Sequence, residues 1–163
     1  MTTIVRPAVA SDAGLVLGFI RKLAEYEKLL HRVEARQEDI ERDLFGPEPK
    51  VYCQIAEVDG APAGFALWFY TYSTFRGRHG IWLEDLFVDP HLRGKGIGKA
   101  LMQNLAERCV KERLGRFEWS VLDWNEPSIQ FYRAIGAQLM DDWTTCRLHD
   151  EPLKQLANGA TSS

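Results

Sequence analysis

The chain reads as a mixed α/β (α+β) domain: a mostly antiparallel central sheet flanked by helices, with one parallel crossover. Three observations predict it. Runs of β-branched and aromatic residues meet at the Asp59-Gly60 turn signal, which gives an antiparallel pair in the first half. A central strand, Ile81 to Val88, passes through Asp89-Pro90 into Arg93-Gly94-Lys95-Gly96-Ile97-Gly98-Lys99, and a helix starts inside those glycines. A further strand, from Phe117, follows that helix and makes the connection a parallel crossover.

The 163 residues suit one domain that buries its own core, over 1–157, with a small, polar, frayed tail at 158–163. Net charge is −3 and no basic block of five or more residues occurs, which excludes the usual nucleic-acid binders. Cys53, Cys109 and Cys146 are odd in number and lack C-x-x-C spacing. They fit a reduced, cytoplasmic setting and no disulfide framework. Arg6 and Pro7 arrive before any apolar run of leader length, and no stretch approaches a membrane span. His31, His79, His91 and His149 show no ligand spacing, so no metal is expected.

In order, Thr3 to Pro7 is a short strand, and Ser11 or Asp12 caps a helix with Leu15, Phe19, Leu23 and Leu30 at helical spacing. Gln37 to Phe45 is a second helix, ended by Gly46-Pro47. Val51 to Val58 and Ala63 to Tyr72 are the hairpin strands. In the helix after the glycines, Ile97, Leu101, Leu105 and Cys109 form one apolar stripe, and Gly115 ends it. Phe117 to Leu122 is a strand. Asn125 caps the next helix, with Pro127 in its first turn and Gly136 after it. Thr144 to Leu148 is expected as a last strand and Glu151 to Ala157 as a last helical turn or two.

The glycine segment carries the chemistry. Amides left unpaired at a helix start point outward, the helix dipole adds positive charge there, and glycines clear the approach for an anion. The strand before it delivers two carboxylates, Glu84 and Asp85. A Walker loop is excluded: Gly94 and Gly98 are one residue too close, and Ala100 replaces the hydroxyl. A dinucleotide fingerprint is excluded by the G-x-G-x-G spacing and its mid-chain position. What remains is Arg93-x-x-Gly96-x-Gly98.

That turn resembles the acyl-CoA pyrophosphate loop of the GNAT acetyltransferase superfamily. Leu83-Glu84-Asp85-Leu86-Phe87-Val88, the glycine segment, Trp124-Asn125-Glu126-Pro127-Ser128-Ile129-Gln130-Phe131-Tyr132 and Leu23-Ala24-Glu25-Tyr26-Glu27 together are similar to its spermidine/spermine (diamine) N-acetyltransferase branch, from about Val5 to Leu148. The resemblance implies a GNAT-like sheet, a homodimer and acetyl-CoA as co-substrate. It places Leu86, Phe87 and Val88 on the pantetheine arm, and Arg93, Gly94, Lys95, Gly96, Ile97, Gly98 and Lys99 around the pyrophosphate. Asn125, Ser128 and Tyr132 join the cofactor side, and Tyr26, Glu27, Glu84, Asp85 and Asn125 face a small cationic amine.

Amide formation then needs a base, because a free alkylammonium has a pKa near ~10.4. The resemblance gives that role to Glu84 and the general acid to Tyr132, whose phenol is protonated at neutral pH. Neighbouring strand residues face opposite ways, so Glu84 and Asp85 share one site only if a bulge intervenes. Asp141, Asp142 and Trp143 do not match the branch's acidic-Gly-Trp stretch, which leaves the amine's chain length open. The rivals are a cysteine nucleophile, acetylation of a protein lysine or N-terminus, and a CoA-binding module without turnover.

Overall fold

The computed structural model describes residues 1–159, and residues 160–163 of the expected tail lie outside it. The chain divides into two compact units, Met1–Ser120 and Val121–Ser163. In the first unit the alternating segments form β1 (Thr3–Pro7), β2 (Tyr52–Val58), β3 (Ala61–Ser73), β4 (Arg78–Val88) and β5 (Phe117–Trp119). They lie in the order β1-β2-β3-β4-β5. All pairs are antiparallel except β4–β5, which is parallel. This is the mostly antiparallel sheet with one parallel pair expected from the sequence, without the last strand expected at Thr144 to Leu148. The three helices of this unit are α1 (Ala13–Tyr26), α2 (Gln37–Phe45) and α3 (Ile97–Lys111).

The sheet alternation sends Cys53, Ile55, Phe65, Leu67 and Phe87 into one core with Ala13, Val16, Leu17 and Phe19 of α1 and Ile40 and Leu44 of α2. Phe19 stacks on Phe65 with ring centroids 5.3 Å apart. Of the expected α3 stripe, Ile97, Leu101 and Leu105 are buried at 1% exposure or less and Cys109 is half-buried, while Met102, outside that stripe, is buried too. Arg6 on β1 pairs with Asp12 at 2.8 Å and with Glu57 at 3.2 Å, tying the first strand to the start of α1. The same guanidinium holds the Asp12 carboxyl below its usual range.

Several local expectations change. Asp12 does not cap α1; its side chain accepts from Val9 N–H at 2.8 Å and closes the short turn before the helix. Leu30 falls in a separate turn at Leu30–Arg32, beyond the end of α1. The left-handed residue after α3 is Arg113 (φ 58°), and Leu114 N–H reaches the Cys109 carbonyl at 2.8 Å. Gly115 serves another purpose: its N–H bonds the His79 carbonyl at 2.8 Å, beside the Arg76 side chain. Strand β5 is shorter than expected, three residues in place of six.

In the second unit, α4 (Glu126–Ala134) and α5 (Asp150–Ala157) are the regular elements among the described residues. The expected strand at Thr144 to Leu148 is not formed. An alternating stretch becomes a strand only beside a partner, and the described residues of the second unit include no other strand. No helix among the described residues is long and apolar enough to cross a membrane.

Candidate active site

Strand β4 changes character at Glu84. Leu83 lies opposite Trp68, and Asp85 lies opposite Leu67. Trp68 and Leu67 are neighbours on β3 and so face opposite sides; Leu83 and Asp85 must do the same. Glu84 is therefore the extra residue of a β-bulge, and it reverses the alternation of the strand beyond it. The bulge answers the condition that the sequence set, because the two carboxylates no longer have to part. Asp85 falls in the row Cys53–Leu67–Asp85 on the α1 side, and Glu84 takes a 3.0 Å hydrogen bond from the Trp82 indole N–H.

The electrostatics agree with that grouping. Burial pushes the Asp85 carboxyl up to about 7, with the Glu84 and Glu27 charges adding to the shift. Burial alone raises Glu27, at the end of α1. The Asp85 carboxyl thus feels the charges of Glu84 on its own strand and of Glu27 at the end of α1, a grouping that suits a cation.

The second change on β4 is in its pairing. Only Ile81, Trp82 and Leu83 pair with β5, at Phe117, Glu118 and Trp119. Beyond Leu83 the β5-side edge has no strand partner among the described residues, and on that edge the Val88 carbonyl accepts from Arg93 Nε. On the other side, Gly64 lies opposite Val88, where a Cβ would collide with the Phe87 carbonyl.

The glycine loop follows at once. Gly94 and Gly96 have φ of 77° and 84°, which suit glycine. A Cβ at either would project into open space. No side chain caps α3 at Gly96, and the first helical bond runs from Ala100 N–H to the Gly96 carbonyl at 2.9 Å. The amides of Ile97, Gly98 and Lys99 therefore start the helix without a side-chain acceptor, with Lys95 and Lys99 close by in sequence. The residues fit a pyrophosphate on backbone geometry.

Arg93 is placed more firmly than a loop arginine needs to be. Its Nε donates to the Val88 carbonyl at 3.0 Å, and its guanidinium carbon lies 4.6 Å from the Tyr26 ring centroid and 5.4 Å from that of Phe87. Lys22 of α1 reaches Asp89 at 3.0 Å across the same corner. Trp82, Lys22 and the seat for Arg93 were not foreseen. Trp82 alone left a signal, as an indole two residues before a carboxylate on one strand.

Asn125, Ser128 and Tyr132 lie in the second unit. Asn125 is buried and accepts from Ser128 N–H at 3.4 Å, the cap expected at α4. The Tyr132 ring lies 5.4 Å from that of Phe131. Cys53 is buried, and burial pushes its thiol and that of Cys109 up, away from the thiolate a nucleophile needs. Among the described residues no group of three His, Cys, Asp or Glu could hold a metal ion. A cavity of about 210 Å³ lined by Tyr52, Trp68, Tyr70 and Arg108 among others includes none of Glu27, Glu84, Asp85 or Arg93.

The sequence pattern of the Acetyltransferase (GNAT) family matches residues 18–137. The chain belongs to the GNAT acetyltransferase family. Among relatives of this GNAT chain, the thialysine N-epsilon-acetyltransferase of Mus musculus is 36% identical over 96% of the chain and 98% of the relative. The Homo sapiens spermidine/spermine N(1)-acetyltransferase-like protein 1 is 31% identical over 94% of the chain and 23% of its own length. These relatives bear out the diamine branch. Among solved structures, an integron cassette protein from the mobile metagenome of V. cholerae superposes with a TM-score of 0.79 at 26% identity, covering 96% of this chain and 98% of that one. The GNAT chain is thus an N-acetyltransferase of the acyltransferase class, in the mixed sheet that its sequence predicts.

Proposed function

We propose that the chain transfers an acetyl group from acetyl-CoA to a primary amine of a small di- or polyamine or lysine-like amine, directly within a ternary complex. The bulge at Glu84 carries the reading. It sets a hydrogen-bonded carboxylate beside a half-buried one at the place where β4 parts from β5. The glycine loop and Arg93 hold the pyrophosphate, and the freed edge at Leu86, Phe87 and Val88 meets the pantetheine arm.

Acetyl-CoA supplies the activated acyl group. Glu84 accepts a proton from the ammonium, through water, and frees the nitrogen lone pair to form the new C–N bond. A freed N–H on the β4 edge donates to the carbonyl oxygen as charge builds on it. The C–S bond breaks with its electron pair on sulfur, and Tyr132 gives its phenolic proton to that thiolate. The second proton, shed by the acylated nitrogen, returns to the phenolate through solvent. Glu27 and Asp85 supply negative charge for a second cationic group on the amine. The thialysine-named relative, matched over nearly its full length, supports a lysine-like amine over a long polyamine. The chain functions in the cytoplasm as a homodimer and folds as one domain over 1–157.

The test is CoA thiol release from acetyl-CoA with a panel running from diaminopropane through spermidine and spermine to lysine, thialysine and diaminobutyrate. Saturable release is expected, fastest with the lysine-like amines. Silence across the panel, with acetyl-CoA still raising Tm, would move the function to a protein lysine or N-terminus, or to a binding module.

A further inference from the structure

The family resemblance gives Tyr26 and Glu27 one task, contact with the amine. Their geometry separates them. Tyr26 closes α1, and its ring carries the Arg93 guanidinium at 4.6 Å. The same guanidinium lies over Phe87 at 5.4 Å, and Arg93 Nε is tied to the Val88 carbonyl at 3.0 Å. Three contacts from α1 and β4 thus hold one side chain at the mouth of the glycine loop. Among the described residues, the terminal nitrogens of Arg93 form no ion pair with a carboxylate, so their charge is left for an external anion.

Two physical consequences follow. An arginine has many rotatable bonds, and one already seated loses less freedom when it meets phosphate. A ring face that already carries a guanidinium has little attraction left for a second cation. Glu27, half-buried at the end of α1, stands close enough for its charge to raise the Asp85 carboxyl.

We infer that Tyr26 is a positioning residue for Arg93. Its ring seats the guanidinium that the glycine loop presents to phosphate, and cation recognition at the end of α1 falls to Glu27. The inference rests on the reading of the loop as a CoA pyrophosphate site.

The experiment is a calorimetric titration of coenzyme A into wild type, Tyr26→Phe, Tyr26→Leu, Arg93→Ala and the Tyr26→Leu/Arg93→Ala double variant. Amine KM is measured alongside. Tyr26→Phe keeps the ring and should bind as wild type. Tyr26→Leu should weaken CoA binding about three- to tenfold, yet change it less than about twofold in the Arg93→Ala background. An unchanged CoA Kd with a raised amine KM would overturn the inference, as would a leucine effect that adds in full to Arg93→Ala.

Should Tyr26→Leu fail to fold, wild-type NMR decides. The Arg93 side-chain protons should be shifted upfield by the Tyr26 and Phe87 rings, with the shift kept on adding coenzyme A; ordinary shifts would overturn the seat. A wild-type chain that does not bind coenzyme A sinks the loop reading and the inference with it. Wild-type binding with an indifferent Tyr26→Leu sinks the inference alone.

Discussion

The two halves of β4 are built for different ends. From Ile81 to Leu83 the strand is paired on both sides, and Ile81 and Leu83 are almost wholly buried. From Glu84 to Val88 it is paired on one side, bulged at its start, and carries two carboxylates. The first half contributes to stability. The second has its β5-side edge without a strand partner and its carboxylates close together, with Glu84 held by the Trp82 indole and the Val88 carbonyl by Arg93.

Substitutions on either side of residue 84 should therefore fail in different ways. The largest effect is expected from Glu84→Gln, which should lower kcat for amine acetylation about 10²- to 10⁴-fold while leaving Tm and CoA Kd within error. A variant with wild-type turnover would remove Glu84 as base. Leu83→Ala, one residue earlier, should cost about 2–5 kcal/mol of stability by denaturant unfolding, with kcat per folded molecule retained. Equal loss of turnover would erase the contrast between the halves.

A smaller effect is expected from Trp82→Phe, which removes the indole donor to Glu84 and keeps the bulk. We expect about a tenfold fall in kcat, in line with one hydrogen bond to a charged group, and little change in stability; no kinetic change would show that the contact does not orient the base.

The smallest effect concerns pH. The Asp85 carboxyl is raised to about 7 in the folded chain, so the native state binds this proton more tightly than the unfolded one. Its contribution to stability is present at low pH and is lost as pH rises toward 7. Wild-type Tm should carry a downward component between pH 5 and 8 that Asp85→Asn lacks. Parallel Tm profiles would show that Asp85 does not titrate there.

Much of this was legible in the sequence because local signals agreed. The hairpin at Asp59-Gly60, the stripe on α3 and the Asn125 cap each rest on residues close in the chain, and each formed as expected. The glycine turn and the helix that opens from it were legible for the same reason, since three glycines before a strong apolar stripe leave few alternatives. The bulge was not legible. It depends on how Leu83 and Asp85 register against Trp68 and Leu67, and no property of Glu84 itself encodes that.

The seat of Arg93 on Tyr26 escaped for the same reason, joining the end of α1 to a loop 67 residues on. The failed strand at Thr144 to Leu148 teaches the converse. Alternation states a capacity to pair, and pairing also needs a partner.

The central claim is that the carboxylates on the freed half of β4 activate the amine for direct attack, with no acyl-enzyme between. The measurement that tests it most directly is intact-protein mass spectrometry with parallel thiol release, after mixing enzyme and acetyl-CoA first without and then with a reactive amine. The account predicts an unmodified chain and no thiol release until the amine is added, then release matched one to one by acetylated amine. An acetyl group on the protein before the amine arrives, discharged when it is added, would contradict it.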